Sequence, residues 1–336
     1  MCRSTTWHGD TPYTFRSMRC VQRQPMNAQR GFIGHAGLCC TLLAAVLLHL
    51  AIAPVTSAAP APYSDGNRPQ AVIAASAGLA VDLTTGVELF AQNADQPLPP
   101  ASTIKLVTAL VALEMLDQNA RATVNPDEVL DGEQYSVMGL LPGDELSVRD
   151  LLYGLLLPSG GDAALVLARI GGAKLDPQTT DAVGRFVEEM NRWALRHGLT
   201  NSHFVNPTGD DAENQHASAR DLARVAALVL DNWLLSRIVA TKETTVEIAG
   251  PNARVLTIVN TNQLLGSPDV YGFKTGTDEL ARQCLVAGFW RGDNRIVTVV
   301  LGSEDRYADT QALLDDVDGR YRWVALGIGA SSLGAN

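Results

Sequence analysis

The order of extended and helical patterns along the 336-residue chain predicts an α+β fold. Patterns typical of strands occur near both ends of the folded part, at 73–82, 87–90, 283–291 and 295–301, and helical patterns lie between them. These terminal strands must pair with one another to satisfy their backbone hydrogen bonds. We therefore predict an antiparallel sheet covered by helices, with the other helices on its faces or in a separate helical subdomain.

The first 58 residues have the pattern of an export signal. Five arginines and one acidic residue precede an apolar run at 36–53, and small residues follow at 56–58. A basic flank, an apolar core and a small-residue exit are the parts of a secretory signal peptide, and a run of this length can also stay as an uncleaved anchor. We predict an extracytoplasmic protein, secreted or held to the outer face of the cytoplasmic membrane through residues 1–58.

The remaining chain reads as a short linker followed by one domain of catalytic size. Residues 59–70 are rich in Pro, Ala and Gly without periodicity, which indicates a linker, and the domain is placed at 71–329. Its first elements are the strands 73–82 and 87–90 and a mostly buried helix at 102–116.

Capping residues mark the helices of the central region. Ser147 and Asp150 form a capping box, and Asp162 is placed to cap the next helix after the break at 158–161. The predicted helices are 147–157, 162–170, 179–196 and 218–230. Strand patterns then return at 244–248 and 255–259 and in a hairpin of 283–291 with 295–301, and a helix is predicted at 309–326.

Two of the chain's four lysines lie in patterns that suggest catalysis. Lys105 follows Ser102 by three residues on a predicted helix, so the amine and the hydroxyl share one face. A serine hydroxyl is a poor nucleophile until a neighbouring base takes its proton, and a lysine becomes that base when burial and nearby positive charge lower its pKa. The second pattern, Lys274-Thr275-Gly276, is rare by chance and lies in an extended region.

A third candidate is Ser159, in the loop between two predicted helices. Its hydroxyl could relay a proton between a lysine and a leaving group, although Ser and Gly at this position are also ordinary turn residues.

Composition excludes other classes of function. A net charge of −10 argues against nucleic acid as a partner, because such binding depends on clustered Lys and Arg. The histidines His197, His203 and His216 lack metal-ligand spacing, and no glycine-rich phosphate loop follows a strand. We therefore predict neither a metal nor a cofactor.

With these motifs the chain resembles the D-alanyl-D-alanine carboxypeptidases, the low-molecular-mass penicillin-binding proteins of the penicillin-recognising serine enzymes. The resemblance covers about residues 71–326 and includes the surroundings of the motifs. The matching segments are Asn93-Ala94-Asp95-Gln96-Pro97-Leu98-Pro99-Pro100-Ala101-Ser102, Phe204-Val205-Asn206-Pro207-Thr208-Gly209, Ser218-Ala219-Arg220-Asp221-Leu222 and Lys274-Thr275-Gly276-Thr277. It implies a β-lactamase/DD-peptidase-like fold.

The resemblance also implies roles for the residues. Ser102 would attack the terminal D-Ala-D-Ala bond of peptidoglycan stem peptides and form an acyl-enzyme, with Lys105 as general base. Ser159 and Lys274 would complete the proton network. β-Lactams would acylate the same serine.

Binding of the substrate is implied for the second lysine motif. Lys274 with Thr275 and Thr277 would hold the substrate carboxylate, and Gly276 lies within the same motif. The backbone N–H groups of Ser102 and Thr277 would form the oxyanion hole. Arg306 would make a second carboxylate contact, or else be a solvated loop arginine.

The sequence departs from the family pattern at Gly161, where the family has an Asn that touches the lysine and the substrate's amide carbonyl. Glycine supplies neither hydrogen bond, so we expect slower or narrower catalysis with the nucleophile intact.

Two alternatives remain at this stage. A class A β-lactamase shares the first and third motifs but needs a further glutamate, and no Glu-x-x-Leu-Asn stretch lies between Ser159 and Lys274. A catalytically impaired, peptidoglycan-binding homologue would retain the fold alone. An endopeptidase or a transpeptidase would have the same motifs as a carboxypeptidase.

Overall fold

The computed structural model describes residues 61–64, 66 and 68–324. Residues 1–58, for which an export signal or anchor is predicted, lie outside the described residues. The strands are β1 Ala61–Ser64, β2 Ala77–Asp82, β3 Val87–Gln92, β4 Arg121–Thr123, β5 Glu145–Ser147, β6 Glu243–Ile248, β7 Arg254–Val259, β8 Val270–Asp278, β9 Arg282–Arg291, β10 Asn294–Ser303 and β11 Tyr321–Val324. The α-helices are α1 Lys105–Met115, α2 Val148–Leu156, α3 Gly161–Leu175, α4 Ala182–Arg196, α5 Ala219–Asp231, α6 Trp233–Ala240 and α7 Arg306–Arg320.

The central sheet joins the two ends of the described chain, as predicted. Its order is β3-β2-β10-β9-β8 and all its pairs are antiparallel, with β10 beside β2 in a register that sets Val297 opposite Val81. Strands β9 and β10 are buried along almost their whole length because helices cover both faces of the sheet. The predicted α+β class is therefore confirmed.

One helix covers one face of the sheet, and a cluster of helices covers the other. Leu313 and Val317 of α7 pack with Leu285 and Phe289 of β9 in the smaller hydrophobic cluster. On the opposite face α5 contacts β2 and β10, and α1 to α4 pack onto one another beyond it. This second layer continues into the helical subdomain that carries Ser102.

Several predicted boundaries shift because side chains outside the local pattern decide them. The strand predicted from residue 73 begins at Ala77, since the backbone N–H groups of Ala71 and Ala74 donate to Asp316 and Asp309 instead of to a strand. The prediction that Asp162 caps a helix is wrong. Gly160 is the N-cap of α3, and the Asp162 carboxylate accepts hydrogen bonds from a neighbouring loop.

A second, separate pairing joins the ends of the domain, and the sequence pattern does not predict this one. β1 lies within the predicted linker 59–70 and pairs antiparallel with β11. The helix predicted at 309–326 begins earlier, after the N-cap Asp305, and ends at Arg320, so that residues 321–324 form β11. The strands predicted at 244–248 and 255–259 form, as β6 and β7, but they pair with each other outside the central sheet.

Across the described part of the chain, no helix combines the length and the apolar character that a membrane crossing requires.

Burial of α3 gives a direct test of the helical subdomain. Leu167 on α3 is fully buried, whereas Leu195 on the neighbouring α4 is 74% exposed. We expect Leu167→Ala to lower the free energy of unfolding by about 2–5 kcal/mol through lost burial and a residual cavity. The matched change Leu195→Ala should stay within about 0.5 kcal/mol. Urea denaturation of both variants checks this packing, and equal losses would contradict it.

Candidate active site

Ser102 lies in a single 3₁₀ turn, Ala101–Ile104, that leads directly into α1. The predicted helix at 102–116 therefore begins with a tighter turn, stabilised by a hydrogen bond of 2.6 Å from the Thr103 hydroxyl to the Pro100 carbonyl. Lys105 is the first residue of α1, and its Nζ lies 2.7 Å from Ser102 Oγ. The spacing of three residues thus brings the hydroxyl and the amine together.

The amine of Lys105 is buried and has one more acceptor. The side chain is only 2% exposed, and Nζ also donates to the backbone carbonyl of Thr208. Burial lowers the pKa of Lys105 to about 8, even though the carboxylates of Asp210, Asp162 and Asp278 act in the opposite direction. A lysine with this pKa is partly neutral near pH 7 and can accept a proton.

Lys274 is buried in the middle of β8. Its Nζ donates to its neighbour's carbonyl, that of Thr275, at 2.8 Å. Burial lowers the pKa of Lys274 well below its ordinary value, and the positive charges of Lys105 and Arg306 lower it further. A positive charge on Lys105 therefore makes protonation of Lys274 less favourable.

Gly276 allows β8 to approach the backbone of Pro100 and Ser102 closely. A Cβ atom there would lie 2.9 Å from the backbone N of Ser102 and 3.1 Å from the Pro100 carbonyl oxygen. Because such contacts are too close to tolerate without a backbone shift, glycine is required at this position. Thr277, the next residue of β8, lines the same cavities as Ser102.

Ser159 is almost fully buried at the cavity that Ser102 also lines. The residue is 4% exposed and has a positive φ of 67° in the loop between α2 and α3. Its Oγ has no hydrogen-bond partner among the described residues. It lines a cavity of about 290 Å³ together with Ser102, Thr275 and Arg306.

Arg306 is held in place, which contradicts its alternative reading as a solvated loop arginine. It begins α7, and its guanidinium donates to Thr277 Oγ1, to the Cys284 carbonyl at 3.1 Å and to Gln283 Oε1 at 3.0 Å. The residue is 8% exposed. Arg306 therefore fixes the Thr277 hydroxyl and brings positive charge to this cavity.

The second lobe of the cleft is acidic. It has a volume of about 530 Å³ and shares Ser102 and Thr277 with the first lobe. Its carboxylates are those of Asp210, Asp211, Asp278 and Glu279. Ser102 thus lies where the lobe that contains Arg306 meets the lobe that contains the four carboxylates.

Gly161 lies in the first turn of α3, at the wall of the acidic lobe. Its backbone N–H donates to the Ser136 carbonyl at 2.8 Å, and a Cβ atom would come within 2.8 Å of Leu130 Cδ1. The space next to the backbone, where a larger side chain would begin, is therefore taken by Leu130.

Sequence reasoning missed three groups at this site. The Thr208 carbonyl accepts from Lys105, Thr261 Oγ1 lies 2.6 Å from Thr275 Oγ1, and Gln283 accepts from Arg306. Thr208 lies in a segment that the sequence analysis had quoted, Phe204 to Gly209, where it was taken as part of a resemblance, and Gln283 begins the predicted strand 283–291. His197, by contrast, is the C-cap residue of α4.

Comparisons with known proteins give one consistent family. Residues 65–305 match the family model for D-alanyl-D-alanine carboxypeptidases, Peptidase_S11. The chain is 32% identical over 292 residues to the D-alanyl-D-alanine carboxypeptidase DacF of Bacillus subtilis (strain 168), covering 84% of this chain and 70% of the relative. It is 34% identical over 239 residues to the D-alanyl-D-alanine carboxypeptidase of Streptomyces sp. (strain K15), covering 69% and 81%.

Solved structures agree with the sequence matches. The crystal structure of the Streptomyces K15 DD-transpeptidase is similar with a TM-score of 0.70 at 31% identity, over 75% of this chain and all of that one.

Restoring an amide at position 161 should speed the reaction of Ser102 once space is made for it. We expect Gly161→Asn combined with Leu130→Ala to raise the rate of penicillin acylation about tenfold, because one hydrogen bond to the reacting amide is regained. Gly161→Asn alone should gain less, since the Leu130 side chain must move. Stopped-flow acylation measures both rates, with Leu130→Ala as the matched control. No gain in the double variant would refute the expectation.

Proposed function

The chain belongs to the D-alanyl-D-alanine carboxypeptidase family, and on that premise we propose that Ser102 is the nucleophile of a serine carboxypeptidase acting on peptidoglycan stem peptides. One observation carries the proposal: a buried amine with a pKa of about 8 lies 2.7 Å from the serine hydroxyl. The family match favours this function over the β-lactamase and the binding-module alternatives.

Acylation begins with transfer of the Ser102 proton to Lys105 Nζ. The freed oxygen attacks the carbonyl carbon of the D-Ala-D-Ala bond, and the carbonyl oxygen takes the negative charge. The backbone N–H groups of Ser102 and Thr277 stabilise that charge, as the close approach at Gly276 supports. When the C–N bond breaks, the proton passes through the Ser159 hydroxyl to the leaving nitrogen, D-alanine departs, and water later hydrolyses the ester.

The substrate binds along β8 with its carboxylate toward the lobe that contains Arg306. In the central sheet β8 is an edge strand, and the backbone groups on its outer side can pair with an extended peptide. Arg306 supplies positive charge, and the Thr275 and Thr277 hydroxyls can donate to the terminal carboxylate. Arg306 acts both directly and by orienting Thr277 Oγ1.

This activity requires an extracytoplasmic location, since peptidoglycan lies outside the cytoplasmic membrane. We propose that residues 1–58 direct export, either as a cleaved signal or as an anchor, and that the partners are stem peptides and, as inhibitors, β-lactams. Fractionation of cells that express the full chain, with N-terminal sequencing of the product, tests both forms. A cytoplasmic, full-length product would contradict export.

A fluorescent penicillin tests the nucleophile directly. We expect stable labelling of the protein, loss of labelling in Ser102→Ala, and an adduct on Ser102 by mass spectrometry. Thr310→Ala, a change at a buried hydroxyl outside the cleft, serves as the control and should label normally. Rapid turnover of the label would indicate a β-lactamase, and no labelling a binding module. Release of D-alanine from muropeptides distinguishes the carboxypeptidase from an endopeptidase or transpeptidase.

The pH dependence of acylation should report Lys105. Because the neutral amine is the base and burial lowers its pKa to about 8, roughly a tenth of the molecules have the reactive form at pH 7. The second-order rate of acylation should therefore rise with pH up to about 8 and then level off. A rate constant independent of pH between about 6.5 and 9 would exclude Lys105 as the titrating base.

A further inference from the structure

The side chain of Asn206 makes several hydrogen bonds to the backbone of the loop after α4. Its Oδ1 accepts from the backbone N–H of Thr208 at 3.2 Å and from that of Gly209 at 2.8 Å. Its Nδ2 donates to the Asp210 carbonyl at 3.0 Å, and Gln215 Nε2 donates to its Oδ1 at 3.2 Å. A single amide thereby fixes the backbone on both sides of Thr208.

The carbonyl of Thr208 points at the catalytic pair. It accepts from Lys105 Nζ, and Ser102 Oγ lies 3.4 Å from the same oxygen. The loop is also fixed to α1, because the Thr108 hydroxyl donates to the Pro207 carbonyl at 2.7 Å. This carbonyl is thus the second acceptor of the amine, which Gly161 cannot supply because it has no side chain.

The acceptor matters because a neutral amine has two N–H bonds and one lone pair. When one N–H donates to the Thr208 carbonyl, the lone pair is free to face the Ser102 hydroxyl. Without that acceptor the amine can rotate away from the hydroxyl. Its protonated form also loses a stabilising partner, which lowers the pKa.

We propose that Asn206 is a positioning residue for the general base, which holds the Thr208 carbonyl against Lys105 and so replaces the lysine contact that residue 161 lacks. The proposal rests on the proposed function, in which Lys105 takes the Ser102 proton. Asn206 itself touches neither Ser102 nor Lys105 and acts through the backbone of Thr208.

Asn191 provides a matched control on the same loop. Its Oδ1 accepts from the Phe204 N–H at 2.9 Å and its Nδ2 donates to the Phe204 carbonyl at 2.7 Å. Both asparagines clamp the loop through their amides, but only Asn206 holds the segment that reaches Lys105.

The experiment compares Asn206→Ala with Asn191→Ala in the full chain. Both variants should lose stability in urea denaturation. Only Asn206→Ala should slow penicillin acylation by about tenfold or more and move the acid limb of its pH profile to lower pH. The charged groups that face Lys105 are Asp162 of α3, Asp278 and Lys274 of β8, and Asp210 of the loop, and all remain in both variants.

A conservative variant separates positioning from general loop damage. Asn206→Asp retains the acceptor oxygen and adds negative charge, so it should recover most of the acylation rate and move the acid limb to higher pH. If Asn206→Ala does not fold, Thr108→Val removes the anchor of the same loop on α1 and should produce the same shift to lower pH.

Two outcomes would overturn the inference. One is an Asn206→Ala variant with the stability loss of Asn191→Ala but an unchanged rate and pH profile, and the other is the same pH shift in both. The failure of the proposed function looks different, because the unsubstituted protein would then not be acylated on Ser102 at all.

Discussion

Two lysine amines buried in one site determine how the rest of the cleft has to be built. Burial lowers the pKa of both, and the positive charge of Lys105 lowers the pKa of Lys274 further. Lys105 keeps a pKa of about 8 only because three carboxylates partly offset its burial. Desolvation lowers the pKa of Lys105 and the three carboxylates raise it. The result is an amine that can both take and return a proton near neutral pH.

The same charges give the cleft a direction. Arg306 brings positive charge to one lobe, and Asp210, Asp278 and their neighbours make the other anionic. A peptide that ends in a carboxylate has lower energy with that end in the lobe that contains Arg306, which leaves its scissile carbonyl over Ser102. Orientation of the substrate thus follows from where the chain places its charges as well as from the strand edge at β8.

How far the site could be predicted depended on how local each contact is. Ser102 and Lys105 are three residues apart in one helical turn, so their spacing alone predicts the contact. Lys274 comes from a distant strand, and only the motif around it indicates that it belongs to the same site. The Thr208 carbonyl is a backbone atom, which no pattern of side chains reveals. β1 was read as linker because Pro and Ala obscure its extended pattern, and its partner strand lies at the other end of the described chain.

Asp162 links the start of α3, where Gly161 departs from the family pattern, to the loop at 138–140. Its carboxylate accepts from the backbone N–H groups of Met138, Gly139 and Leu140, and so it pins that loop to the start of α3. The loop then brings the Ser136 carbonyl to the Gly161 N–H. On this side of the cleft, the Leu130 side chain and the hydrogen bond from the Gly161 N–H lie where the family pattern has the side-chain amide of an asparagine. The polar contact to the lysine has to come from another direction, and the loop held by Asn206 is the element that reaches Lys105 from there.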